Sequence, residues 1–406
     1  MPEKDQRRQR RIKPILFLMS LAFSMVAFVA FDWTYSAAIL RSSAAPGKAK
    51  TCGIADPIRH HAFKPNCTIV RPWGTDSYVF ATNSLGFRDE SVREVPLADA
   101  RPRILVLGDS FTEGEIAWRD SYVGKIAAHF PQYDFLNGGQ SGYSPSNDLN
   151  TTRMVLAAGV ELDEVIVFSS IADLQSEAAS YRDVDASGAV TMAERRVGTS
   201  PSWYRTWRTR VAKYLLLTND ILEFFARFLV RLGYHHLSTG WHTDLFDMGV
   251  AAWTYRKVDE INPYPSGYAP LGVEGGIAKE KAKMTLLWQQ LAERNIAISI
   301  VVSPWPAQVI NDTSDSRQVR IWREWCEGKC KHFISVFPAF FAAKSQCPPT
   351  EPGCWYLNYF IFGDHHYNAA GNALVADAVI KSLEEDPPSK RPGTNPRPEP
   401  GPIGTH

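Results

Sequence analysis

The chain has 406 residues, a net charge of +1 from 44 basic and 43 acidic side chains, and 45% hydrophobic residues with 12% aromatics. That content suits one large globular domain or two modest ones and excludes a polar, disordered chain. The charge balance excludes nucleic acid and other polyanions as partners read from composition.

The chain opens with six basic side chains in KDQRRQRRIK (4–13), followed by ILFLMSLAFSMVAFVAF, Ile15–Phe31, 17 residues without a charge. Such a run is just long enough to cross hydrocarbon as a helix. Residues 1–36 therefore read as a cytoplasmic basic tail and a transmembrane anchor. Trp33 and Tyr35 suit the opposite interface, so the chain beyond about residue 36 is expected outside. Cleavage as a signal peptide near Ala37 and Ala38 is the rival reading, and would leave a secreted domain. Residues 37–50, rich in Ala, Ser, Lys and Gly, read as a linker.

From residue 51 to 383, short apolar runs alternate with longer helical patterns, the signature of βα units and a mostly parallel sheet. RILVL (103–107), YDFLN (133–137), EVIVF (164–168), IAISIVV (296–302) and HFISV (332–336) are the strand candidates. Five strands suffice for an α/β, flavodoxin-like sheet, whose ligands bind beyond the carboxyl ends of its strands. Ser110 lies just past the first of them. A long insertion, 181–275, separates the third strand from the fourth. Within it, Trp203–Leu232 places Leu215, Leu222, Phe225 and Leu229 at helical spacing among Arg and Lys. Packing on the domain, a helical lid and a membrane-surface contact all fit that pattern.

The six cysteines fall into sequence-local pairs, so 52/67, 326/330 and 347/354 are the expected disulfides among 15 connectivities, in keeping with export. CEGKC (326–330) lacks the tight CxxC spacing and a facing pair, so zinc is not expected. No GxxxxGK[ST] loop follows a strand, so no nucleotide is invoked. Residues 384–406 are Pro-rich and nearly free of apolar side chains, and read as a disordered tail.

Two stretches carry the chemistry. RILVLGDSFTEG (103–114) ends a strand on Ser110, and FGDHHYNAAGN (362–372) joins a carboxylate and two imidazoles to a helix start that Asn368 can cap. A serine attacks only when a base takes its proton, and the base works best when a carboxylate fixes its tautomer. Ser110, His366 and Asp364 supply those three parts.

GDSFTEG followed by DHHYNAAGN resembles the SGNH/GDSL hydrolase superfamily, whose blocks occur in this order; the similarity spans about residues 80–180 and 280–383. NSLGFRDE (83–90) and VVSPWPAQV (301–309) are similar to exported members related to alginate O-acetyltransferase-like polysaccharide O-acetylation proteins. The resemblance implies a three-layer SGNH fold with a five-stranded parallel sheet and a helical insertion. It also implies an acyl-serine intermediate with no cofactor and no metal. Ser110 matches the nucleophile, with its own N–H in the oxyanion hole. Gly142, in LNGGQSGYS (136–144), matches the second donor. His366 matches the general base and Asp364 its orienting partner; His365 is the other imidazole in place, as an alternative base or facing solvent or an acceptor.

The third block departs from the pattern. Where Gly-x-Asn-Asp is usual, the chain has FSSIADL (168–174), so Ala172 stands at the position of an oxyanion-donating Asn. Losing such a donor typically costs ~10²–10³ in rate, about 2.7–4 kcal/mol, unless Ser169 or Ser170 replaces it. Asp173 keeps the acidic position. Taken together, the resemblance implies an esterase or O-acyltransferase in a bacterial inner membrane, its domain in the periplasm, acting on acylated cell-envelope carbohydrate. A transferase further needs an acyl donor or a membrane partner delivering one. A carbohydrate-binding scaffold that has lost catalysis and a membrane-surface lipase are the competing readings.

Overall fold

The computed structural model describes residues 2–43, 51–73, 76–184, 188–192, 210–211, 214–233, 248–256 and 268–391. Before the predicted sheet the chain forms β1 (Gly53–Asp56), β2 (His60–Phe63), β3 (Thr68–Trp73), β4 (Asp76–Thr82) and β5 (Arg88–Asp89). The predicted strands follow as β6 (Arg103–Leu107), β7 (Asp134–Asn137) and β8 (Glu164–Ser169). After β9 (Tyr181–Asp183) and β10 (Val190–Met192) come β11 (Ala297–Val302) and β12 (Phe333–Ser335).

The five expected strands are present and parallel, in the spatial order β12-β11-β8-β6-β7, which is flavodoxin-like. The expected count of five is corrected to eight: β5, β4 and β3 continue the sheet beyond β7 in antiparallel fashion. The physical reason is that β7 would otherwise be an open edge, and the hairpin of β3 and β4 covers it through β5.

The strand runs are mainly apolar because both faces of the sheet are covered, with buried polar residues such as Arg103, Asp134 and Glu164 at their ends. Along β6, Ile104 and Val106 pack with Tyr122, Val123, Val375 and Val379 from helices Tyr122–His129 and Ala369–Glu385. Leu105 and Leu107 point the other way, to Leu149, Met284 and Leu287 from helices Pro145–Ala157 and Gly272–Ala292. Helix, sheet and helix form three layers. The three expected disulfides, Cys52–Cys67, Cys326–Cys330 and Cys347–Cys354, are all formed.

The N-terminal helix runs Pro2–Ser43 and includes Leu16–Ile39, 24 residues long and apolar enough to cross a membrane. It continues past Ala37 into the stretch expected as a linker. The insertion is not wholly helical, since β9 and β10 pair as an antiparallel ribbon. Of Trp203–Leu232, the described part is dominated by helix Leu216–Arg231; residues 201–209 lie outside the described residues.

That helix begins without a cap from its own chain neighbours. Its first amides instead donate to the N-terminal helix: Leu216 N–H to Ser36 Oγ at 2.8 Å, Leu217 N–H to Asp32 Oδ1 at 3.0 Å and Thr218 N–H to Asp32 Oδ2 at 2.8 Å. The Thr218 hydroxyl adds a bond to the same carboxylate at 2.6 Å. Two side chains thus satisfy three of the donors every helix start leaves open. At the other end, helix Ala369–Glu385 extends past residue 383, and the first residues of the expected tail are fixed. Lys390 lies 3.3 Å from Glu161 and Asp163, and Arg391 N–H donates to Asp163. Residues 392–406 lie outside the described residues.

Candidate active site

β6 ends at Leu107, and Gly108 turns the chain with φ +144°. A Cβ there would sit 2.3 Å from Thr112 Oγ1 and 2.8 Å from the Phe168 carbonyl, so only glycine lets the turn lie against β8. Gly108→Ala is expected to cost about 3 kcal/mol or more through this overlap and the backbone strain. A fall in the urea midpoint, at unchanged slope, measures it.

Asp109 then caps the short helix Ser110–Glu113, accepting from Phe111 N–H at 2.9 Å. Ser110 is its first residue, half-buried at the carboxyl end of β6.

The partner loop joins helix Cys354–Tyr359 to helix Ala369–Glu385, whose cap is Asn368, accepting from Ala370 and Gly371 N–H, both at 3.0 Å. Tyr356 fixes the loop by donating from its hydroxyl to the Asp364 carbonyl at 2.8 Å. The structure brings the three singled-out side chains together. Ser110 Oγ lies 2.7 Å from His366 Nε2, and His366 Nδ1 lies 2.6 Å from Asp364 Oδ1. The same carboxylate oxygen accepts His366 N–H at 3.0 Å. His366 and Asp364 are buried, and the Phe111 ring packs against the imidazole at 4.6 Å.

Burial alone would raise the Asp364 carboxyl, but the charge and hydrogen bonds of His366 outweigh it and hold Asp364 well below the usual carboxylate range. Burial would lower His366, yet the charge and hydrogen bond of Asp364, then the charges of Glu115 and Asp109, push it up to about 9. Glu115, with a carboxylate oxygen 3.7 Å from His366 Nδ1, is a neighbour that sequence reasoning passed over. Its only signal was position, directly after GDSFTEG.

His365 stacks on Trp305 at 4.2 Å with the rings 11° apart, and its ring centroid lies 4.4 Å from that of His366. Ligand atoms of Asp364, His365 and His366 lie within 4.8 Å of one another, the one such metal-capable group among the described residues. A metal there would compete with the short His366–Asp364 hydrogen bond, in which the carboxylate oxygen and the ring nitrogen are already each other's partners.

Gly142 sits on the loop after β7 with φ +80°, in open space. The loop is clamped by four hydrogen bonds to three residues. Ser141 N–H donates to Glu113 Oε2 at 2.7 Å, and the Ser141 carbonyl lies 2.9 Å from His61 Nε2. Tyr181 donates its hydroxyl to the Gly142 carbonyl at 2.8 Å, and Tyr143 donates to the His61 carbonyl at 2.7 Å. Glu113 is itself paired with Arg71 of β3. His61, Glu113 and Tyr181 come from remote parts of the chain, and no spacing rule could have found them.

Ala172 is the second residue of helix Ile171–Gln175. Ser170, offered as a replacement donor, is committed elsewhere: its hydroxyl donates to Asp109 Oδ2 at 2.7 Å and accepts from Ala172 N–H at 3.1 Å. Asp173 completes a capping box with Ser170 N–H at 2.8 Å. Ser169 Oγ is buried with no hydrogen-bond partner among the described residues. Burial raises both Asp109 and Asp173, so this pair of carboxyls beneath Ser110 holds protons more readily than free acids do.

No protein-family profile matches the chain, and no curated protein matches it. Among solved structures, it is similar to an alpha/beta hydrolase from the metagenome of Lake Arreo, Spain, at 12% identity and TM-score 0.36, over 71% of this chain and 97% of that one. A catalytic mutant of an acetylxylan esterase from Geobacillus stearothermophilus matches at 12% identity and TM-score 0.37, over 73% and 100%. A member of the lipolytic G-D-S-L family from Veillonella parvula matches at 12% identity and TM-score 0.34, over 70% and 97%.

Proposed function

We propose that the chain is an SGNH/GDSL-type serine enzyme of acyl esters, held by its N-terminal helix in a membrane and acting on acylated carbohydrate of the cell envelope. The observation that carries this is the continuous line from Ser110 Oγ through His366 to Asp364, at 2.7 Å and 2.6 Å. His366 Nε2 takes the Ser110 proton as Oγ attacks the ester carbonyl, and Asp364 holds the imidazolium that forms. The negative oxygen of the tetrahedral intermediate is taken by the N–H groups of Ser110 and Gly142. The bond to the alcohol breaks, His366 gives that alcohol its proton, and the acyl group rests on Ser110. Water then makes the chain an esterase, and a sugar hydroxyl makes it an O-acyltransferase; either loses its proton to His366 and takes the acyl group, and His366 returns that proton to the departing Ser110 Oγ.

Retention of the anchor is supported by the capping bonds from Asp32 and Ser36. Cleavage near Ala37 would remove both acceptors and leave the start of helix Leu216–Arg231 bare.

The free imidazole is the working form of His366, and a group raised to about 9 is mostly imidazolium at neutral pH. kcat/KM is therefore expected to climb about tenfold per pH unit from neutrality and to level off near 9. Glu115→Gln removes a negative charge that favours the imidazolium, so the rising limb should move to lower pH. A pH profile for wild type and variant on p-nitrophenyl acetate checks this, and superimposable profiles would refute it.

His61→Phe deletes the hydrogen bond of about 1 kcal/mol from Nε2 to the Ser141 carbonyl, the oxygen of the peptide unit that carries the Gly142 N–H. A kcat about three- to tenfold lower with KM unchanged is the expected result, since the developing oxyanion is charged only in the transition state.

A second reading, a carbohydrate-binding protein without useful catalysis, is favoured by Ala172 together with the committed Ser170 hydroxyl. Fluorophosphonate labelling of the full chain separates the two. Stoichiometric labelling that Ser110→Ala removes supports the enzyme; a folded chain that takes no label, yet binds acetylated glycan, supports the binder.

A further inference from the structure

Helix Leu216–Arg231 wears its apolar face outward. Phe224, Phe225 and Phe228 are 69%, 57% and 53% exposed, and Ile221 and Leu232 are also open. At 100° per residue these five fall on one stripe, since they stand three, four, seven and eleven positions along from Ile221. Arg227 and Arg231 lie on one flank of it. The opposite face is the one that packs on the domain, with Val230 fully buried, and the Arg231 backbone carbonyl at the helix end accepts Gly353 N–H at 3.1 Å. Among the described residues nothing covers this stripe, and such a patch on a water-facing helix marks a contact site.

Its location identifies the occupant. The helix starts on Asp32 and Ser36, at the point where the charge-free run Ile15–Phe31 ends. The exposed Leu16–Phe31 face of the anchor and the outward stripe of this helix are thus joined by a four-bond clamp at the level where hydrocarbon gives way to headgroups. We propose that the stripe Ile221–Leu232 lies in the outer leaflet of the bilayer that the N-terminal helix spans, as an interfacial helix with Arg227 and Arg231 at the headgroups. The proposal rests on reading the N-terminal helix as a retained membrane anchor.

The contact carries on to the chemistry. The Arg227 guanidinium sits 4.1 Å over the Phe362 ring, two residues before Asp364. Gly353, bonded to the helix end, precedes helix Cys354–Tyr359, whose Tyr356 holds the Asp364 carbonyl. Seating the stripe in lipid would hold the loop of Asp364 and His366 at the membrane surface, where a lipid-borne acyl ester or lipid-linked glycan is met in two dimensions.

The test uses the full chain, one copy per nanodisc, in phospholipid carrying a diazirine near the glycerol end of one acyl chain. After photolysis, adducts are mapped by mass spectrometry. Adducts on Phe224, Phe225 or Phe228 as well as on 16–39, with none on the exposed Val70 and Leu97, are the expected result. Adducts on 16–39 alone would overturn the proposal and leave the anchor standing. A chain that takes none in either segment would overturn both. Enzymatic activity does not enter the readout, so a catalytically inert chain still decides the question.

Discussion

Ser110→Ala and His366→Ala are each expected to lower kcat by about 10⁶-fold, and the double variant to fall no further than either alone. The reason is that the hydroxyl and the imidazole are one device. At 2.7 Å from Nε2, the Oγ has a partner to take its proton as it attacks; without the base the hydroxyl stays protonated, and without the hydroxyl the base has nothing to activate. Residual activity should come from the amides of Ser110 and Gly142 and from binding, which both variants keep. Steady-state kinetics on p-nitrophenyl acetate, with thermal melts to show that the variants fold, make the comparison. Losses that multiply in the double variant would mean that the two groups act separately.

Asp364→Asn is expected to cost about 10⁴-fold in kcat with little change in KM. The carboxylate accepts both the backbone N–H and Nδ1–H of His366, which leaves Nε2 as the acceptor that faces Ser110. An amide at this place can turn its NH₂ toward Nδ1, and the proton then moves to Nε2, where it blocks the serine. The same substitution removes the charge that does most to hold His366 at about 9 against its burial. What activity remains should therefore titrate at lower pH than in wild type. Loss of rate with an unmoved profile would show that Asp364 only positions the ring. A rate within tenfold of wild type would show that Glu115, 3.7 Å from the same nitrogen, can replace it.

The parts of the molecule that could be read from sequence are those fixed by short-range rules. The five parallel strands announce themselves because burial on both faces demands unbroken apolar runs, and RILVL and EVIVF have no other stable use. The disulfides join near neighbours in sequence. Ser110 follows a strand, and Asp364 and His366 precede a capped helix, so a strand end and a helix start place them without knowledge of anything between. β3 and β4 were missed because each turns one face to water and so reads as a weaker, alternating run; Val70 and Val79 remain exposed. Contacts that depend on the assembled fold left no local trace. Tyr181 reaches Gly142 across 39 positions, and Asp32 reaches Thr218 across 186. The tail composition was read as uniformly disordered, yet Lys390 and Arg391 find Asp163 and Glu161, which no composition rule encodes.

The antiparallel strands beyond β7 also decide how the protein behaves among its own copies. A central parallel strand left open would present a long row of free amides and carbonyls, ready to accept a strand from another molecule. Here the sheet instead terminates at β12, only three residues long, and at β3, which contains Pro72, a residue with no amide hydrogen to offer. Growth by edge-to-edge pairing is thereby disfavoured at both margins.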